Sequence, residues 1–152
     1  MMWVRIDNRL IHGQVIETWL PYTRAGHLFV ANDELAADPV RQEIMGLAIP
    51  AGITVHYSAI RELPKWITSD VRDETFVLFA TCPDAKLAFE CGLNFSVLNV
   101  GNLHYGPGKK QVCAHIALGP EDISCLNSFV NKGVTLDFRC VPHKSVQVNK
   151  WH

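Results

Sequence analysis

The sequence is short of the features that announce most functional classes. It has no C-x-x-C pair: Cys82, Cys91, Cys113, Cys125 and Cys140 are odd in number and widely spaced, so they point to neither a disulfide framework nor a zinc site and read as reduced, mostly buried thiols. No apolar run reaches the ~18 residues that span a bilayer. The N-terminus lacks the basic, apolar and small-residue regions of a signal peptide, so a cytoplasmic location is expected. Neither charge sign dominates: 14 basic and 15 acidic residues leave a net charge of -1, with no global field to draw in nucleic acid or an anionic membrane, and any recognition must be local. There is no G-x-x-x-x-G-K-[ST] loop and no carboxylate cluster for magnesium, which argues against a nucleotide-using kinase. Internal repeats, low-complexity segments and linkers are missing as well.

What is present fits one domain, residues 1–152, long enough to bury a substantial core. Trp3 to Ile6 reads as a strand. Val15, Ile16, Trp19 and Leu20 then recur at helical spacing, with Pro21 limiting that helix. His27 to Ala31 is a short buried strand bounded by Asn32-Asp33-Glu34, after which a loop leads to a helix. That helix starts at Asp38-Pro39 and continues through Val40, Ile44, Leu47 and Ala48 to Pro50. Ile53 to Tyr57 alternates as a strand, and a further helix lies within Ile60 to Ser69, interrupted by Pro64. Thr75 to Ala80 is the clearest buried strand.

A helix from Cys82-Pro83-Asp84 to about Glu90 is closed by Cys91-Gly92. Ser96 to Val100 is a strand, and Gly101 to Lys110 is a loop whose three glycines and proline exclude regular structure. Val112 to Leu118 holds one or two short strands, a helix runs from Gly119-Pro120 to Asn131-Lys132-Gly133, and Val134 to Arg139 is the last strand. The tail after Pro142 is expected to be peripheral. Strands alternating with helices predict an α/β fold, an open, mostly parallel sheet of about seven strands with helices on both faces. In such folds ligands bind outside the carboxyl ends of the strands. The polar segments Asp7–Gly13, Asn32–Glu34, Thr81–Asp84 and Gly101–Lys110 should therefore gather at one edge.

His12 is the reactive candidate among them. It precedes a helix, with Gly13 after it and Arg9 three residues before it. First-turn N–H groups and the positive end of the helix dipole stabilise a nearby anion, and Arg9 can add charge-assisted hydrogen bonds. A neutral imidazole has a lone pair able to attack phosphorus and form phosphohistidine. Asp7 either orients the other ring nitrogen or fixes Arg9. On spacing alone a lone histidine reads first as a structural or surface residue, and the glycine, arginine and helix start narrow that preference without reversing it. Around this loop, Lys109 and Lys110 either steer a phosphoprotein or are simply solvated. His104 and Tyr105 read first as local packing residues, Thr81 as a helix cap, and Trp66 and Trp151 as partner contacts or packing. His27, His56, His115 and His143 show no metal-ligand spacing.

The segment Arg5-Ile6-Asp7-Asn8-Arg9-Leu10-Ile11-His12-Gly13-Gln14-Val15, followed by Trp19, closely resembles the active-site segment of the IIB components of the mannose/sorbose family of the bacterial phosphoenolpyruvate-dependent sugar phosphotransferase system. Asp33-Glu34-Leu35-Ala36-Ala37-Asp38, Asn99-Val100-Gly101-Asn102 and Gly108-Lys109-Lys110-Gln111 agree with that family too, in order along nearly the whole chain. The resemblance implies that His12 accepts a phosphoryl group on Nδ1 from a IIA component and passes it to a sugar entering through IIC and IID membrane subunits. Arg9, Asn8 and Gly13 would hold the phosphate and Asp7 would assist. Many family members carry a second aspartate where this chain has Asn8, a change that removes a negative charge beside the phosphate. The resemblance further implies a cytoplasmic protein associated with the inner membrane through IIC and IID, a homodimer, and no metal or cofactor. The alternative is a regulatory phosphoacceptor, phosphorylated on His12 but signalling by protein binding without transport.

Overall fold

A computed structural model describes all residues, 1–152. Six strands form one sheet: β1 (Trp3–Ile6), β2 (His27–Ala31), β3 (Thr54–Ser58), β4 (Thr75–Phe79), β5 (Val97–Val100) and β8 (Thr135–Asp137). Their order is β3-β2-β4-β1-β5-β8, and every neighbouring pair is parallel. The remaining strands, β6 (Lys110–Cys113) and β7 (Ile116–Leu118), are an antiparallel pair of their own. The seven or so strands expected in one sheet thus divide into six and two.

The strands alternate between two cores because successive side chains leave opposite faces of the pleat. Phe29, Ala31, Val77, Phe79, Val4 and Ile6 point to the larger core, which α6 (Cys82–Glu90) and α7 (Pro120–Asn131) cover. Leu28, Val30, Phe76 and Leu78 point to the smaller one, closed by Val15, Trp19 and Leu20 of the helical stretch 13–23, here α1. Pro21 does not end α1. The backbone widens over Val15–Trp19, where the Leu20 N–H bonds the Val15 carbonyl five residues back, and Leu20–Thr23 then carries Pro21 in its first turn. A widened turn absorbs the missing proline donor and the ring's bulk.

Several local expectations change. Asn32 caps a short helix, α2 (Asp33–Ala36), where a loop was expected. The next helix, α3 (Pro39–Gly46), stops short of Pro50, and Val40, Ile44 and Leu47 face solvent, Ile44 at 62% and Leu47 at 80% exposure. Pro64 opens α4 (Leu63–Trp66) instead of interrupting it, after a tight turn at Ile60–Glu62, and α5 (Ser69–Arg72) was not foreseen. Cys82 is paired with Cys125, 43 residues away, whereas Cys91 is exposed, so the reading of uniformly reduced, mostly buried thiols is overturned. The pairing joins the start of α6 to the middle of α7, a juxtaposition that spacing along the chain does not encode. The tail is not peripheral either: Val148 and Trp151 pack against the larger core, and the Asn149 N–H bonds the Val112 carbonyl at 2.9 Å.

Candidate active site

The chain leaving β1 crosses to β2 on one side of the sheet, and the chain leaving β5 ends in β8 on the other. A crevice opens where neighbouring connections diverge, and loops 7–13 and 101–109 meet there. They are tied together by backbone: Asn8 N–H donates to the Asn102 carbonyl at 2.9 Å, and Gly101 N–H to the Ile6 carbonyl at 2.8 Å. Asn8 braces the same junction with its side chain, donating from Nδ2 to the Ala80 carbonyl and accepting from the His104 N–H on Oδ1, both at 2.7 Å. Two of the four polar segments are therefore in contact, and a third, Thr81–Asp84, begins next to Ala80 and lines a groove with Gly108 and Lys109. The fourth, Asn32–Glu34, starts α2 and holds Ile60 N–H through Asp33.

Within loop 7–13 the Asp7 carboxylate accepts the Arg9 N–H on Oδ1 at 3.0 Å, and the Leu10 N–H bonds the Asp7 carbonyl at 3.0 Å. Leu10 takes a left-handed conformation, φ 56°, with its side chain buried in the smaller core. That anchored turn sends the chain back so that His12 lies over Asp7. His12 Nε2 is 2.8 Å from Asp7 Oδ2, and its side chain is 6% exposed. Of the two readings of Asp7, the structure combines both: its side chain orients the imidazole and also fixes Arg9, through the Arg9 backbone.

Asp7 is fully buried, which by itself would push its carboxyl toward the neutral form. The hydrogen bond to His12, the charge of Arg5, the Arg9 N–H and the Asn102 amide together outweigh that penalty and hold it below the usual carboxylate range. An ionised Asp7 can only accept, so the proton of neutral His12 sits on Nε2 and the lone pair on Nδ1. Nδ1 has no hydrogen-bond partner in the protein. Removing the charge from one side of the buried Arg5–Asp7 pair would leave the other uncompensated, a cost of about 3–5 kcal/mol.

Arg9 is exposed and its guanidinium forms no hydrogen bond or ion pair with another side chain, leaving its full fork for an anion. Gly13 is exposed at the start of α1, with open space where a Cβ would be. The groove beside His12, about 500 Å³, is walled by Ile11, Gly13 and Ile16 on one side and Ile44, Met45 and Ala48 on the other.

Residues that pattern reading passed over complete the site. Asn102 Nδ2 donates to Asp7 Oδ2 at 2.9 Å and to Gln14 Oε1 at 3.1 Å, and Arg5 Nε and Nη2 bond the same Asp7 oxygen. The signals available were the charge of Arg5 inside a strand that is otherwise apolar, and the place of Arg5, Gln14 and Asn102 within the stretches that resemble the family. Among the other candidates, Thr81 caps α6 by accepting the Asp84 N–H, and Lys109 pairs loosely with Asp122 at 3.8 Å. Lys110, His104 and Tyr105 are exposed, so the packing role expected of the last two does not hold. Trp66 is exposed, while Trp151 packs on Phe138. No group of three or more His, Cys, Asp or Glu side chains is placed to hold a metal ion.

Comparison with known proteins identifies the family. Residues 1–151 match the family described as the PTS system sorbose subfamily IIB component. The chain is 34% identical over 139 residues to the sorbose-specific EIIB component of Klebsiella pneumoniae, covering 90% of this chain and 85% of that protein. It is also 34% identical over 139 residues to the N-acetylgalactosamine-specific phosphotransferase enzyme IIB component 2 of Escherichia coli K12, covering 91% of this chain and 88% of that one. The crystal structure of the N-acetylgalactosamine-specific IIB component 1 from Escherichia coli superposes over 100% of both chains with a TM-score of 0.89 at 28% identity. With its parallel α/β sheet and a histidine-bearing loop at the crevice, the chain belongs to the mannose/sorbose family of phosphotransferase-system IIB components.

Proposed function

We propose that this protein is a phosphocarrier that takes a phosphoryl group onto His12 Nδ1 from a phosphohistidine of a IIA component and delivers it to a sugar entering through IIC and IID membrane subunits. The observation that carries the reading is the held imidazole: Nε2 is committed to Asp7, and Nδ1, which has no partner, keeps an unshared pair, with the exposed Arg9 three residues earlier in the same loop. In the transfer, the Nδ1 pair forms a bond to phosphorus as the donor's N–P bond breaks, and that electron pair returns to the donor ring. His12 gains positive character, which Asp7 stabilises through Nε2–H. Arg9 and the first-turn N–H of Gly13 balance the charge on the phosphoryl oxygens. Asn8 contributes by holding the loop in shape.

A protein donor also accounts for the aliphatic rim. Ile44 of α3 lines the groove and is exposed, as is Leu47 just past the helix, and apolar contact there would exclude water from the transfer. No helix is long and apolar enough to cross a membrane; membership of the family is what supports placing the protein at the cytoplasmic side of the inner membrane through IIC/IID partners, and as a homodimer.

The test is incubation with phosphoenolpyruvate, the general phosphotransferase proteins and a cognate IIA, comparing wild type with His12→Ala. Acid-labile, base-stable label on wild type alone is expected. Equal label on the variant, or none on wild type with an active donor, rejects the assignment. Label that never passes to sugar in the presence of IIC and IID points instead to the regulatory phosphoacceptor.

A further inference from the structure

We propose that Arg5 is a positioning residue for the transfer, keeping Asp7 an obligate acceptor so that His12 carries its proton on Nε2, and that Gly101 is what leaves Arg5 room to do so. The inference rests on His12 being the phosphoryl acceptor and adds a layer beneath it.

Arg5 sits in β1, between β4 and β5, with 0% exposure. Arg5 and Asp7 are two residues apart in an extended segment and share a face. All five guanidinium N–H groups find acceptors: Nε and Nη2 on Asp7 Oδ2 at 3.2 and 3.0 Å, Nη2 on Gln14 Oε1 at 3.1 Å, and Nη1 on Asn99 Oδ1 and on the Arg139 carbonyl at 3.4 Å. The plane also lies 5.0 Å from the Trp19 ring centre. A charge buried inside a parallel sheet is costly unless fully paired, and this one is paired at every proton.

Asp7 Oδ2 consequently meets donors from Arg5, His12 and Asn102. Without the guanidinium the buried carboxyl would take up a proton and donate it to His12 Nε2, moving the ring proton to Nδ1 and removing the nucleophile. A lysine ammonium cannot replace the fork, because it is a point charge without the planar pair of donors that Asp7 receives.

Gly101 supplies the space. A Cβ built there would fall within the van der Waals envelope of Arg5 Cζ, Nη2 and Nε. The loop cannot easily back away, since Gly101 N–H is bonded to the Ile6 carbonyl at 2.8 Å. Its backbone is not in the left-handed region, so the requirement is for room and not for conformational freedom.

The experiment measures Arg5→Lys, Gly101→Ala and the double variant against wild type, each checked for folding by circular dichroism. Two readouts are taken: the His12 tautomer from imidazole 15N shifts, and the rate of His12 labelling by phosphoramidate, a small donor that needs no partner protein. Each single variant should label about 10–100-fold more slowly per folded molecule and shift toward Nδ1–H. Gly101→Ala should cost less in the lysine background, where the flexible chain can yield. Folded variants that label at the wild-type rate with Nε2–H retained overturn the proposal, as does a loss of stability alone. If Arg5→Lys does not fold, Gly101→Ala, which leaves every charge in place, decides. Wild type that accepts phosphate from phosphoramidate but never from a IIA would reject the donor reading while leaving the tautomer result to judge Arg5.

Discussion

His12 and Asp7 are five residues apart, and their contact depends on the turn at Leu10, where a left-handed residue reverses the chain. An Asp7→Asn substitution keeps the shape but offers an amide that can donate to Nε2, favouring the wrong tautomer. Phosphorylation of His12 should fall by about 10²-fold or more per folded molecule, beyond the ~3–5 kcal/mol of stability lost by leaving Arg5 uncompensated, read as labelling rate alongside circular dichroism. A rate within twofold of wild type would mean that Asp7 does not set the ring's proton. The catalytic candidates were legible from local sequence because His12, Arg9 and Gly13 lie within one loop at a helix start. The roles of Arg5, Gln14 and Asn102 were not, because nothing in the spacing of Arg5 and Asn102 says that β1 lies beside β5 and the loop that follows it.

At the scale of elements, strand periods carried well: β2, β4 and β5 fall within a residue or so of where the apolar runs put them. Helix faces carried less well. Val40, Ile44 and Leu47 have the spacing of a buried stripe, yet only Met45 of α3 packs against the smaller core. Periodicity identifies an apolar face without saying what covers it. Ile44→Asp should change stability by no more than about 0.5 kcal/mol in urea titration, as for exposed positions generally. It should raise the KM for phospho-IIA several-fold while leaving phosphoramidate labelling unchanged. An unaltered KM would show that α3 lies outside the donor's footprint.

Across the whole molecule, burial sets how stability responds to acid. His56 is held below its ordinary pKa of 6.5 by burial and by the neighbouring His27. His115 is lowered by burial and by Arg5, against the raising effects of the Phe138 carbonyl and Asp7. Both favour the neutral form when folded, so the unfolded chain binds more protons below about pH 6.5. Stability from these groups is fully present above that pH and is lost as the pH falls through their folded values. Asp7, lowered from 3.8, adds a further loss only at still lower pH. Urea midpoints should therefore fall between pH 7.5 and 5, and His56→Gln should narrow the difference. A midpoint that rises on acidification would contradict the sign.

The sequence by itself determined the alternation of strands and helices, the parallel sheet that follows from it, and which polar residues gather in the loop at His12, because each depends on residues a few positions apart. Only the tertiary structure decided how that chemistry is poised. The Cys82–Cys125 pairing, the exposure of α3 and the enclosure of Arg5 between Asp7, Asn99 and Gly101 all join segments distant in the chain. Periodicity is a local property, whereas the Arg5 guanidinium is held by Asn99 of the neighbouring strand and given room by Gly101 in the loop after it.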